Sequence, residues 1–181
     1  MVQHVETVPA VSLRSETDHD LDFLKDLYAA SREREMALLV HWNDTQKREF
    51  LDQQFNAQRS HYQKHYPDAR FEIIERSGQP LGRLYVTELK QEIRLMDISL
   101  MPSARNAGIG GRICLDIMTR AERLGKIVSL HVEDDNPAKR LYARLGFAEV
   151  GEAGFYTLMH WCPQGLARIS RELSAQLNIA S

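Results

Sequence analysis

Leu95-Met96-Asp97-Ile98-Ser99-Leu100-Met101-Pro102-Ser103-Ala104-Arg105-Asn106-Ala107-Gly108-Ile109-Gly110-Gly111 is the stretch whose reading decides the fold. Leu95 to Met101 is a short apolar run broken by Asp97 and Ser99, which predicts a strand with one wetter face. Pro102 stops it, because proline has no N–H for a sheet ladder. Arg105 to Gly111 is a turn of glycine and small residues. Ile113, Ile117, Met118, Ala121 and Leu124 then recur at helical spacing. A strand, a small-residue loop and a helix aim backbone N–H groups and the positive end of a helix dipole at one spot, which suits a phosphate.

The flanking elements extend this unit. Upstream, Phe71 to Arg76, Leu81 to Leu89 and Ile93 to Met101 predict three consecutive antiparallel strands. Ser77-Gly78-Gln79-Pro80 and Lys90-Gln91-Glu92 are the turns, and Gly82 is a candidate bulge. Downstream, Gly125 ends the helix, and Ile127 to Val132 predicts a strand parallel to Leu95–Met101 by a right-handed crossover. Asp135 or Asn136 caps the next helix, with Pro137 at its first position; Leu141, Tyr142 and Leu145 line its inner face. Phe147–Val150 and Phe155–Trp161 are the last strands, around a turn at Gly151 to Gly154.

Before the sheet, Val11–Arg14 predicts a first strand and Met1–Pro9 a frayed end. Thr17 or Asp18 caps a helix whose face is Leu21, Leu24, Leu27 and Tyr28. Ser31 to Trp42 reads as a helix end, a mobile loop and a short turn. Asn43, Asp44 or Thr45 caps a long helix with Leu51, Phe55 and Tyr62 on one side, and Pro67 ends it. The expectation is one domain over residues 1–162 and a tail over 163–181 with a short helix.

Bulk properties narrow the function. The chain has 181 residues, 43% hydrophobic and 27% charged, with a net charge of −2. That balance fits a globular domain and argues against a binder relying on nucleic-acid phosphates. No run approaches the roughly 18 apolar residues of a membrane span, and residues near Glu6 form no signal peptide. Cys114 and Cys162, without CxxC spacing, read as reduced thiols of a cytoplasmic protein.

Two common nucleotide motifs fail at the glycines. Gly111 is followed by Arg112-Ile113 where a P-loop needs Lys-Ser/Thr. Ile113 stands where a dinucleotide fingerprint needs its third glycine. The loop has the form Arg-x-x-Gly-x-Gly instead, through Arg105, Gly108 and Gly110. Together with Asn136-Pro137-Ala138-Lys139-Arg140-Leu141-Tyr142-Ala143-Arg144-Leu145-Gly146-Phe147, it resembles the GNAT superfamily of acyl-CoA-dependent N-acyltransferases. The resemblance covers Phe71 to Trp161 well, and Val11 to Tyr66 only in element order.

The resemblance implies a mixed α/β fold. Its sheet has six to seven strands, with strands 1–4 antiparallel, strands 4 and 5 parallel and splayed, and four flanking helices. It implies acetyl-CoA as co-substrate, no metal, and direct acetyl transfer to an amine of a small molecule or peptide. Backbone of Arg105, Asn106, Ala107, Gly108, Ile109, Gly110 and Gly111 would cradle the pyrophosphate. An N–H near Leu100 or Met101 would hold the thioester carbonyl, and Tyr142 would protonate the departing thiolate. Asn136 and Lys139 are further candidate contacts. Asp97 is the first candidate base, with Glu88, His131 and Glu133 as others. An acyl-CoA sensor without turnover is the alternative on the same fold, and a nucleotide-binding protein is a third reading.

Acceptor specificity would lie in Ala29 to Trp42, the start of the following helix, and Gly151 to Gly154. His61 and His65 have a metal-compatible spacing but no evident third ligand. The stripe Leu166, Ile169, Leu173 and Leu177 would pack on its own subunit or form a homodimer contact.

Overall fold

The structure, a computed structural model, describes residues 10–177. The expected fraying of Met1–Pro9 lies outside them. Seven strands form one mixed sheet in the order β1-β2-β3-β4-β5-β7-β6. The strands are β1 Ser12–Ser15, β2 Arg70–Arg76, β3 Gln79–Glu88, β4 Glu92–Leu100, β5 Ile127–Glu133, β6 Ala148–Ala153 and β7 Tyr156–Trp161. The helices are α1 Leu21–Ser31, α2 Glu33–Leu38, α3 Asp44–His65, α4 Ile109–Leu124, α5 Ala138–Arg144 and α6 Ala167–Leu177. The expected mixed fold is present, with six α-helices among the described residues where four were expected.

The two additional helices have local causes. α2 arises within the stretch read as a loop: Arg32 pairs with Glu35 at 2.7 Å, and Met36 is buried. One buried residue in six leaves no periodicity to read. α6 is the expected tail helix. It packs against β6 of its own chain, and Ser170 meets His160 Nδ1 at 2.9 Å.

Contacts divide the chain into two compact units: Met1–Tyr85 with Asp97–Ile109, and Val86–Met96 with Gly110–Ser181. In the first, Leu24, Tyr28, Met36, Leu51, Phe55 and Ile73 form a core cluster. Thr17 and Asp20 make a capping box before α1, and Asn43 and Gln46 make another at α3. Each box satisfies N–H groups that a helix start leaves unpaired. Ser77 and Gly78, with φ of 50° and 77°, form the two-residue turn between β2 and β3. Two left-handed residues give the turn a twist that matches paired strands.

Gly82 is not a bulge. A Cβ there would lie 2.2 Å from the Ser99 carbonyl oxygen, so glycine answers a close approach of β4. The extra residue belongs to β4 itself. Leu89 N–H donates to Glu92 O, whereas Met101 N–H donates to Leu81 O. These pairings are one residue out of step, which is the mark of a bulge between them.

In the second unit, β4 and β5 are parallel, from Glu92↔Ile127 to Leu95↔Leu130. The crossover through α4 produces this direction, as expected. β5 and β6 both pair antiparallel with β7. β6 runs on through Gly151, expected to begin a turn, to Ala153. A register shift between Glu149 and Gly151 accommodates it.

Candidate active site

The loop after β4 is built from short-range interactions. Pro102–Ala104 forms a 3-10 turn, with Ala104 buried. Asn106 and Gly108 follow with φ of 59° and 75°, and α4 begins at Ile109. Left-handed backbone suits glycine and, among other residues, asparagine best. The turn therefore reads out why Asn106 and Gly108 stand there.

Gly110 and Gly111 occupy the first turn of α4, where helix N–H groups have no internal partner. A Cβ on either would meet only Leu141 side-chain carbons, at 3.8 and 3.6 Å. Those are ordinary contacts, so the chain's own packing does not require glycine at either position. An anionic ligand brought close to these N–H groups would require it, which is the fit a pyrophosphate needs.

Arg105 is turned onto its own backbone. Its Nε donates to Leu100 O at 2.9 Å and its Nη2 to Ala30 O at 3.4 Å. These bonds shape the loop rather than extend a charge from it. They also separate the two candidates for the carbonyl-binding N–H. Met101 N–H is taken by Leu81 O at 2.8 Å. Strand groups alternate in direction, so the N–H and C=O of Leu100 point away from β3, and a side chain caps that C=O. Leu100 is thus the better-placed donor of the two.

Asp97 has both carboxylate oxygens engaged. Oδ2 accepts from Arg83 at 2.6 Å and Oδ1 from Ser99 at 2.7 Å. Arg83 is buried, also donates to Gln58 at 2.8 Å, and lies over the Tyr85 ring at 4.9 Å. Sequence reasoning missed Arg83, although a charge inside the apolar run Leu81–Val86 was the available signal. Glu88 is held by Lys126 and Arg120, at 2.9 and 2.8 Å, which lower its pKa.

In the second unit, Asn136 caps α5: its Oδ1 accepts from Ala138 N–H at 2.9 Å. Lys139 reaches β7, donating to Thr157 Oγ1 at 2.9 Å, and lies 3.2 Å from Glu149. Both side chains are occupied in holding α5. Tyr142 is buried on α5, its ring 5.6 Å from that of Phe147. Cys114 is buried, which pushes its thiol pKa up to about 12.

Strand register sorts the second unit's side chains by face. Arg94 partners Ser129, and Ser129 partners His160, so these share a face with His131 and Glu92. The His160–Ser170 contact lays α6 over this face. Val132 partners Thr157, and the Lys139 bond to Thr157 puts α5 on the other. Burial lowers the pKa of His160 against the opposing charge of Glu92.

A groove of about 550 Å³ lies between α1, α2 and the start of α3. Ala29, Glu33, Met36, Asp44, Lys47 and Arg48 are among its lining residues, within the segments expected to shape acceptor specificity. Tyr28 belongs to the core, and Trp42 stacks edge-on against Phe50 at 5.5 Å. Among the described residues, no three His, Cys, Asp or Glu side chains converge as a metal site. His61 and His65 only approach each other, with ring centroids 4.5 Å apart. No described helix is long and apolar enough to cross a membrane.

The model of the acetyltransferase (GNAT) family matches residues 24–147. The chain belongs to the GNAT acetyltransferase family. Solved GNAT structures share its fold. The PaiA N-acetyltransferase of Thermoplasma acidophilum, in complex with coenzyme A, is similar at TM-score 0.65 and 15% identity, over 85% of this chain and 99% of that one. The ribosomal-protein-S18-alanine N-acetyltransferase of Escherichia coli matches at TM-score 0.54 and 15% identity, over 87% and 99%. Mutant forms of the spermidine/spermine N-acetyltransferase SpeG of Vibrio cholerae match at 0.53 and 20%, over 84% and 94%. At these identities the likeness is one of fold. No curated protein sequence is significantly similar to the chain.

Proposed function

We propose that this GNAT protein is a cytoplasmic, single-domain enzyme that transfers acetyl from acetyl-CoA to an amine of a small molecule or peptide, by direct attack. The observation that carries the reading is the turn from Asn106 into α4, with Gly110 and Gly111 where the chain's own packing has no need of glycine. Its N–H groups suit the coenzyme's pyrophosphate, and Leu100 N–H suits the thioester oxygen, where a donor stabilises negative charge developing during attack. Tyr142 is the proposed acid for the thiolate. A phenol with an ordinary pKa near 10 needs to lie within hydrogen-bond reach of the sulfur to serve.

Direct transfer is favoured over an acyl-enzyme because Cys114 is buried within α4 and its raised pKa keeps it a thiol. Acetyl-CoA, and not ATP or NAD, should raise the melting temperature. Thiol release should then identify the acceptor from a panel of spermidine, spermine, alanine-initiated peptides, free amino acids and aminoglycosides. Tyr142→Phe should lose turnover while keeping CoA affinity. A wild-type protein that binds acetyl-CoA but acetylates nothing would instead be a sensor.

A further inference from the structure

We infer that His131 accepts the proton of the attacking amine. The inference rests on the acetyltransferase reading above and adds the residue that makes the amine a nucleophile.

Position is the first argument. The β4–β5 ladder ends at Leu95↔Leu130, and His131 is the next residue of β5. On its other side β5 stays paired with β7 through His131↔Leu158 to Glu133↔Tyr156. The imidazole is therefore carried by anchored backbone beyond the last β4 partner. Exposure is the second. In the polar row on this face, Glu92, Ser129 and His160 are buried, Arg94 and Glu133 are half-buried, and Tyr156 and His131 are exposed. His131 is the exposed member of that row with an ordinary pKa near neutrality.

The third argument is the division of labour across the strand. His131 shares its face with α6, and α5, which carries Tyr142, lies on the other. An amine entering on one face and a thiolate leaving on the other need their proton acceptor and donor arranged in this way. The remaining candidates fit less well. Asp97 is committed to Arg83 and Ser99, and Glu88 to Lys126 and Arg120. Glu133, two residues further along β5, is half-buried where His131 is exposed.

The charged and titratable groups on the face of His131 are Arg94 and Glu92 on β4, His160 and Tyr156 on β7, and Glu133 two residues along β5; from α6, Ser170 is taken by His160. Partial burial and then the Arg94 charge lower its pKa, against the pull of Glu92. The ring is thus neutral at pH 7 and able to take a proton. The protons balance as follows. The ammonium gives one to His131, and the freed nitrogen bonds to the acetyl carbon as the C–S bond breaks. Tyr142 protonates the sulfur and regains the nitrogen's second proton. His131 returns its own to solvent, so each turnover releases one proton.

The test is the pH profile of kcat/KM at saturating acetyl-CoA, with the amine found in the panel. The wild type should show an acidic limb below pH 6.5, matching the His131 titration seen by NMR. His131→Gln should lower kcat/KM at pH 7 by roughly 10²- to 10⁴-fold, the usual span for a general base, and abolish that limb. His131→Glu should restore part of the rate and move the limb toward the carboxylate range. Melting temperature and acetyl-CoA affinity should stay at wild-type values in both. His131→Gln within threefold of wild type with the limb intact would overturn the assignment and leave the acetyltransferase reading standing. A wild type that acetylates no amine would remove that reading and this one together.

Discussion

Gly82→Ala should damage both stability and turnover, and the structure sets the scale. The new Cβ would lie 2.2 Å from Ser99 O, 2.8 Å from Leu100 Cδ2 and 3.1 Å from Leu100 Cα. Two of these neighbours are backbone atoms, so no rotamer change relieves the contact. Restoring carbon contact distances requires β3 and β4 to part by about 1 Å here. That movement stretches the 2.8 Å Met101–Leu81 bond past useful length, a loss of about 1 kcal/mol. Overpacking adds about 1–3 kcal/mol. Removing glycine's freedom in the unfolded chain returns about 0.4–1 kcal/mol. The net is a destabilisation of about 1–3.6 kcal/mol, or roughly 2–14 °C in melting temperature at this size.

The same shift moves the Leu100 N–H, the donor proposed above for the thioester oxygen, and losing a donor in that role would cost about 10²–10³ in kcat. Urea and thermal unfolding, followed by acetyl transfer well below the transition, measure the two effects. Gly78→Ala is the control: a Cβ there meets nothing within 4 Å at φ +77°. It should lower stability by about 1 kcal/mol through backbone strain, without loss of kcat. A Gly82→Ala protein within about 0.5 kcal/mol of wild type, the range of inconsequential surface changes, and with normal turnover would refute the close-approach argument.

Arg83→Met should destabilise by about 3–5 kcal/mol, because it strands the Asp97 carboxylate beside buried neighbours; adding Asp97→Asn should recover a large part, and strict additivity in the double-mutant cycle would count against the pair. Asp20 accepts from Arg14 at 2.8 and 2.6 Å and from Thr17 N–H, bonds that hold its pKa well below the usual carboxylate range against the effect of burial. A depressed folded pKa stabilises above the unfolded value of about 3.9 and is lost as pH falls through the folded one. Asp20→Asn should therefore be less stable than wild type at pH 7, with the gap closing below about pH 4; a pH-independent gap in urea midpoints would contradict this. In iodoacetamide labelling of native protein followed by mass spectrometry, Cys162 should react and buried Cys114 should stay unmodified until urea is added.

Local features were legible in the sequence because their causes are local. Asn106 and Gly108 turn the backbone where left-handed φ is needed, Asn43 and Asn136 cap helices within three residues of themselves, and Ser77–Gly78 closes a hairpin. The parallel direction of β5 followed from one helix between two strands. Asp97 was visible as a charge in an apolar strand, but its partner was not. Arg83 meets it only through the register of β3 on β4, and a one-residue bulge sets that register. Nothing in the neighbours of Arg105 along the chain shows that its guanidinium turns back to Leu100 and Ala30.

The sequence by itself determined the strand, left-handed turn and helix from Leu95 to Leu124, whose geometry depends on neighbours along the chain. Only the tertiary structure decided which polar groups are occupied and which are open. Asp97, Glu88 and Lys139 are paired with opposite charges 14, 32 or 38, and 10 positions away. His131 shares a face with residues 37 and 29 positions away, Arg94 and His160. Side-chain period 2 says that two residues face alike along one strand, but only strand pairing says which residues of other strands join them.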